Sequence, residues 1–130
     1  MGELTVDRAY DARRGEDAEG VPAGAATFLV DRLWPRGVRK TDLPLTGWPK
    51  ELTPSPTLRR EFHSGVLDWK QFGDAYRGEL DERHTAGELD DALTEIRDNL
   101  AERDVVLLFA GRDTDHTHAK VLQAWLETHL

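Results

Sequence analysis

Two short stretches carry most of the residue types that bind or move charge. The first, "LVDRLWPRG" (Leu29–Gly37), turns from an aliphatic run into Asp31, Arg32, Trp34 and Arg36. The second, "AGRDTDHTHA" (Ala110–Ala119), holds Arg112, Asp113, Asp115, His116 and His118. Arginine presents a planar, two-pronged donor that matches phosphate and carboxylate. Arg32, Arg36 and Arg112 are therefore the expected anion holders, with His116 beside them. Asp31 and Asp113 are placed to orient a group or take a proton. Histidine titrates near neutrality, which suits acid–base chemistry and assigns that role to His118. Trp34 reads equally as a flat platform for a base or sugar and as a lid on the core. Asp113 taken alone reads as a helix cap.

The chemistry is bounded by what is missing. The chain has no cysteine, which excludes disulfides, zinc–thiolate sites and thiol catalysis. No serine stands in a recognisable nucleophile elbow. Residues two apart on a helix do not share a face, so His116 and His118 with the aspartates make a poor chelate and no metal is expected.

These groups need elements to position them. Leu4–Asp7, Ala26–Leu33 and Asp104–Ala110 read as strands, the last a continuous apolar run that predicts cover on both faces. Between them the sequence predicts helices. Ser55-Pro56 is an N-cap followed by proline at the first helical position. Asp68 with Gln71 forms a capping box, and Trp69, Phe72, Tyr76 and Leu80 make one apolar stripe expected to pack on the sheet. Thr85 with Glu88 reads as a second capping box, followed by Leu89, Leu93, Ile96 and Leu100. The last helix is expected from about Asp115 to Thr128, capped by Asp113 or Thr114. In that helical phase His118 shares a side with Leu122 and Trp125, and His116 points away. Asp11–Ala25 reads as a flexible loop. The alternation predicts an α/β domain spanning residues 1–130: a small, largely parallel sheet with flanking helices. Ligands of such sheets bind beyond the carboxyl ends of the strands, where both polar clusters fall.

The 130 residues suit one domain. A net charge of -8 argues against nucleic acid as a general partner, because phosphate contacts need a positive surface. No stretch reaches the ~20 apolar residues of a membrane span, and the N-terminus lacks the apolar core of a secretory signal. A cytoplasmic protein is expected.

The chain resembles the YeaO-like family, the bacterial domain-of-unknown-function family 488. The resemblance rests on "LVDRLWPRG", "TPS" (Thr53–Ser55), "LRREF" (Leu58–Phe62), "WKQFGDAYRGEL" (Trp69–Leu80) and "LLFAGRDTDHTHA" (Leu107–Ala119). The family typically has Asn where Thr117 stands, and the middle loop departs from its pattern, with Gly47 and Pro49 flanking Trp48. The resemblance implies a small α/β fold with these motifs at the sheet edge. It implies no particular reaction.

Three functions compete. One is an enzyme acting on a small phosphorylated or nucleotide-like compound. The second is a non-catalytic ligand-binding or sensor module using the same pocket. The third is a nucleic-acid-processing accessory protein. The sequence names no cofactor, substrate or oligomeric state.

Overall fold

The computed structural model describes residues 2–13 and 21–130. Three short strands, β1 (Leu4–Arg8), β2 (Ala26–Leu29) and β3 (Val105–Phe109), form a wholly parallel sheet with β3 in the middle. The central place of β3 explains its unbroken apolar run: neighbours pair with both edges and both faces are covered. Side chains alternate between those faces. Val105, Leu107 and Phe109 join Phe28 and Val30 on one, while Val106 and Leu108 join Leu29 on the other.

The two faces are covered unequally. The first lies under α2 (Pro56–His63), α3 (Trp69–Thr85), α4 (Asp90–Leu100) and α5 (His118–His129). These helices bring Tyr76, Leu80, Ile96, Leu122 and Leu126 to full burial. The second face is covered by α1 (Ala9–Ala12) and by the irregular segment 34–48, which supplies Val38, Leu43 and the half-buried Trp34 and Trp48. At the outer edge of β2, Gly47 bridges to Phe28 and lies against its ring, where a Cβ would come within 2.9 Å of ring carbons. The glycine beside Trp48 is thus a steric requirement of this loop.

Local signals account for the starts of α2 and α3. Ser55 accepts a hydrogen bond from the Leu58 amide, with Pro56 at the first helical position. The Asp68–Gln71 capping box forms in both directions.

Several expectations need correction. The Thr85–Glu88 capping box does not form. Thr85 closes α3, the Gly87 amide bonds back to His84 O and the Glu88 amide to Arg83 O. This is a Schellman closure, made possible by Gly87 at φ +79°. Helix α4 then starts behind Leu89 without a side-chain cap. Trp69 is only partly buried, because the first turn of α3 lies at the rim of the core rather than over the sheet. In the expected flexible loop 11–25, Asp11 and Ala12 complete α1, and residues 14–20 lie outside the described residues. Among the described residues no helix is long and apolar enough to cross a membrane.

Candidate functional site

Strand β2 ends four residues earlier than the sequence predicts, and the way it ends builds the site. The parallel ladder continues through Val30, whose amide donates to Leu108 O at 2.9 Å. In a regular ladder the next rung would join the Ala110 amide to the Val30 carbonyl. That rung is split. The Ala110 amide donates instead to Asp31 Oδ2 at 2.8 Å, and the Val30 carbonyl accepts from His118 Nε2 at 2.7 Å. One side chain from each polar cluster has replaced one backbone partner.

The split rung sets the chemistry of both residues. A carbonyl only accepts, so Nε2 of His118 carries a hydrogen; in the neutral ring Nδ1 then holds a lone pair. Asp31 Oδ1 lies 3.0 Å from the same Nε2. It is buried and receives no well-directed hydrogen bond, because the Nε2 hydrogen is aimed at Val30. The contact is a close approach of the carboxylate to the polarised N–H rather than a second hydrogen bond. The His118 ring meets Tyr76 edge-on, with centroids 6.2 Å apart. Tyr76 is fully buried and donates its hydroxyl hydrogen to Leu52 O. Burial pushes its phenol far above the usual range, so it remains a donor.

The loop between β3 and α5 is shaped by Asp113. Its Oδ1 accepts from the amides of Asp115 and His116, each at 2.9 Å. Those two bonds hold its carboxyl below the ordinary carboxylate range. Asp113 therefore caps a turn of its own, and α5 begins at His118 rather than near Asp115. Thr117, not Asp113 or Thr114, is the N-cap, accepting from the Ala119 amide. A hydroxyl serves where the family typically has Asn. The amides of Asp115 and His116 are thus occupied by the protein's own carboxylate. Arg8 braces the loop from β1, with Nε on Gly111 O at 2.9 Å and Nη2 on Ala110 O at 3.3 Å.

A cleft of about 320 Å³ lies over these groups, between α2 and the β3–α5 loop. Asp31, Arg112, Asp113, His116 and His118 all line it, so the two sequence clusters do converge. Arg32 borders an adjoining crevice that shares Asp31, Arg59 and His118 with the cleft. Its Nε is buried without a partner. The wall is aromatic: Phe62 and Phe72 stack with centroids 4.5 Å apart, and His116 stacks on Trp69 at 4.8 Å. A larger hollow of about 460 Å³ lies elsewhere, beside Pro22 and Leu43, and no charged side chain among the described residues lines it.

Two predicted residues lie away from the cleft. Trp34 donates Nε1–H to Val38 O at 2.7 Å and meets Trp48 edge-on, as part of the cover of the second sheet face. Arg36 is exposed, and its carbonyl accepts from the Tyr10 hydroxyl. Gly37 turns the chain at φ +81° after it. Sequence reasoning missed Arg59, which reaches the cleft from α2, and Arg8. The strand-end rule that found Arg32 and Arg112 also points to Arg8, the last residue of β1. Among the described residues no three histidine or acidic side chains are grouped to hold a metal ion.

Comparison with known proteins gives a family without a reaction. The description of the matching family is "Inactive DUF488-N3 subclade", and the match covers residues 3–130. The uncharacterized protein YeaO of Escherichia coli K12 is 37% identical over 96% of this chain and 97% of its own length. The uncharacterized protein Rv3073c of Mycobacterium tuberculosis is 34% identical over 85% of this chain and 86% of its own. No solved structure matches.

Proposed function

The chain belongs to the YeaO-like DUF488 family, in the subclade described as inactive, and from that premise we propose that it is a non-catalytic binding module whose cleft holds a small phosphorylated or nucleotide-like anion. One observation carries this reading. Arg32, Arg59 and Arg112 border the cleft and its adjoining crevice, and none makes an ion pair or side-chain hydrogen bond with a described residue. Elsewhere Arg39, Arg77, Arg83 and Arg103 pair with carboxylates, while Arg36 and Arg97 have no side-chain partner among the described residues but stand apart on the exterior, so the grouping of the three is what sets them off. In a chain of net charge -8, three unpaired guanidinium groups around one concave surface fit an anion. The description "inactive" supports binding over turnover, as does the use of Asp31 and His118 to satisfy split backbone groups.

The test is calorimetric titration with inorganic phosphate, pyrophosphate and a panel of phosphorylated metabolites. A ligand at ~100 times its Kd stabilises the fold by about 2.7 kcal/mol. Binding by the wild type and its loss in the Arg59→Ala/Arg112→Ala variant are expected. A double variant that binds as the wild type does would remove the arginines from the site.

A second reading is favoured by one feature. His118 lines the cleft and its Nδ1 accepts nothing from the described residues, leaving a lone pair with Asp31 behind the opposite nitrogen. In that reading His118 is a general base, with Asp31 and Asp113 as orienting carboxylates. Steady consumption of a bound ligand, abolished in His118→Gln, would select it.

A further inference from the structure

We propose that the ligand of this cleft is a nucleoside monophosphate, with its single phosphate on Arg59 and Arg112 and its base against the aromatic wall at His116. The proposal rests on the anion-binding reading above and narrows it to one ligand class.

Three features of the cleft ask for three different chemical groups. The mouth asks for an anion of limited charge. Arg59 and Arg112 line the cleft together with the carboxylates Asp31 and Asp113, and Arg32 borders the adjoining crevice, so histidines apart the cleft itself is balanced and the two hollows together carry one surplus positive charge. One phosphomonoester carries about two negative charges near neutrality, which that balance tolerates. A triphosphate would bring roughly twice as much charge against the same carboxylates.

The wall asks for a flat ring. His116 is held face-to-face on Trp69, with an interplanar angle of 21°, while its side chain remains 55% exposed. Its backbone amide is fixed by Asp113 at 2.9 Å. An aromatic surface anchored on one side and open on the other is a stacking platform for a base. Phe62 and Phe72 extend the apolar lining beside it.

The floor asks for a hydrogen-bond donor. In the neutral ring, with the Nε2 hydrogen directed at Val30, His118 Nδ1 is an acceptor that the described residues leave unused. A fully ionised phosphate has no hydrogen to offer it. A ribose hydroxyl has. The volume of about 320 Å³ is at the small end for ligand sites, on the scale of one mononucleotide.

The test is titration of the wild-type chain with AMP, GMP, CMP and UMP, beside ribose 5-phosphate, adenosine, inorganic phosphate and ATP. At least one monophosphate is expected to bind about tenfold or more tightly than ribose 5-phosphate, the usual scale of base stacking, and more tightly than ATP. His116→Ala should remove that advantage and leave ribose 5-phosphate binding unchanged. Arg59→Ala should weaken both phosphorylated ligands. Equal affinity for ribose 5-phosphate and every monophosphate would overturn the nucleoside part while the anion-binding reading stood. Tighter binding of ATP would overturn the single-phosphate part. Binding of none of the anions would end both.

Discussion

The floor and the mouth of the cleft are built from the same kinds of residue and use them in opposite ways. At the floor, Asp31 and His118 are engaged with the protein itself, each replacing one half of a missing ladder rung. At the mouth, Arg59 and Arg112 have no partner among the described residues. A charged side chain that already satisfies a buried backbone group is part of the fold, because removing it strands that group. Charged side chains without a partner that gather on one concave surface, unlike those scattered over the exterior, are the better candidates for a ligand. Pairing, more than residue type, separates the two roles.

The floor should therefore fail by unfolding and the mouth by losing ligand. The largest effect is expected for Asp31→Ala. It leaves the Ala110 amide without an acceptor and takes a carboxylate from beside His118, at a cost of about 2–3 kcal/mol in chemical denaturation. An unchanged denaturation midpoint would break the comparison at its strongest point. His118→Ala strands only the Val30 carbonyl, which has a second lone pair for water. About 1–2 kcal/mol is expected there.

Arg59→Ala and Arg112→Ala should change stability by no more than about 0.5 kcal/mol while phosphate binding falls. Loss of stability in either variant, with binding intact, would put the arginines on the structural side and invert the comparison.

The sequence made the floor partly legible and the mouth less so. The apolar run of β3, the Asp68–Gln71 box and the parallel sheet follow from local patterns that short-range physics enforces. The helical phase puts His118 on the side of Leu122 and Trp125, and the structure sets it half-buried 3.0 Å from Asp31, although the helix itself begins only at His118 and does not include His116. The split rung was not legible, because it depends on β2 leaving the ladder at Asp31, a tertiary event with no local signal. Arg59 was missed for a similar reason. It stands in "LRRE", which reads as the solvent face of a short helix, and only the docking of α2 beside the β3–α5 loop turns that face toward the cleft. Trp34 reads equally as a platform and as a lid on the core, and the lid is what forms. It stands beside charged residues in sequence, but after Asp31 the chain crosses to the other face of the sheet and takes Trp34 with it.

Asp113 belongs to neither side of the comparison and should give the smallest effect. Its carboxylate is held by two amides of its own loop, as a structural residue would be, yet it lines the cleft and its side chain is 60% exposed. Those amide bonds favour the ionised form, so its folded pKa lies below the ordinary 3.8. The contribution to stability is therefore present above about pH 3.8 and lost as the pH falls through the lower folded value. The amide resonances of Asp115 and His116 are expected to titrate together with a midpoint below 3.8, and to lose that titration in Asp113→Asn, which keeps an acceptor oxygen without the charge. A midpoint at or above 3.8 would mean that the two bonds do not hold the ionised form. Near neutrality the same Asp113→Asn change removes one negative charge from the lining. Phosphate binding should then tighten, by less than about tenfold because the group is exposed and screened by solvent and salt. Weaker binding in that variant would show that Asp113 orients the ligand, and would move it from the rim into the site.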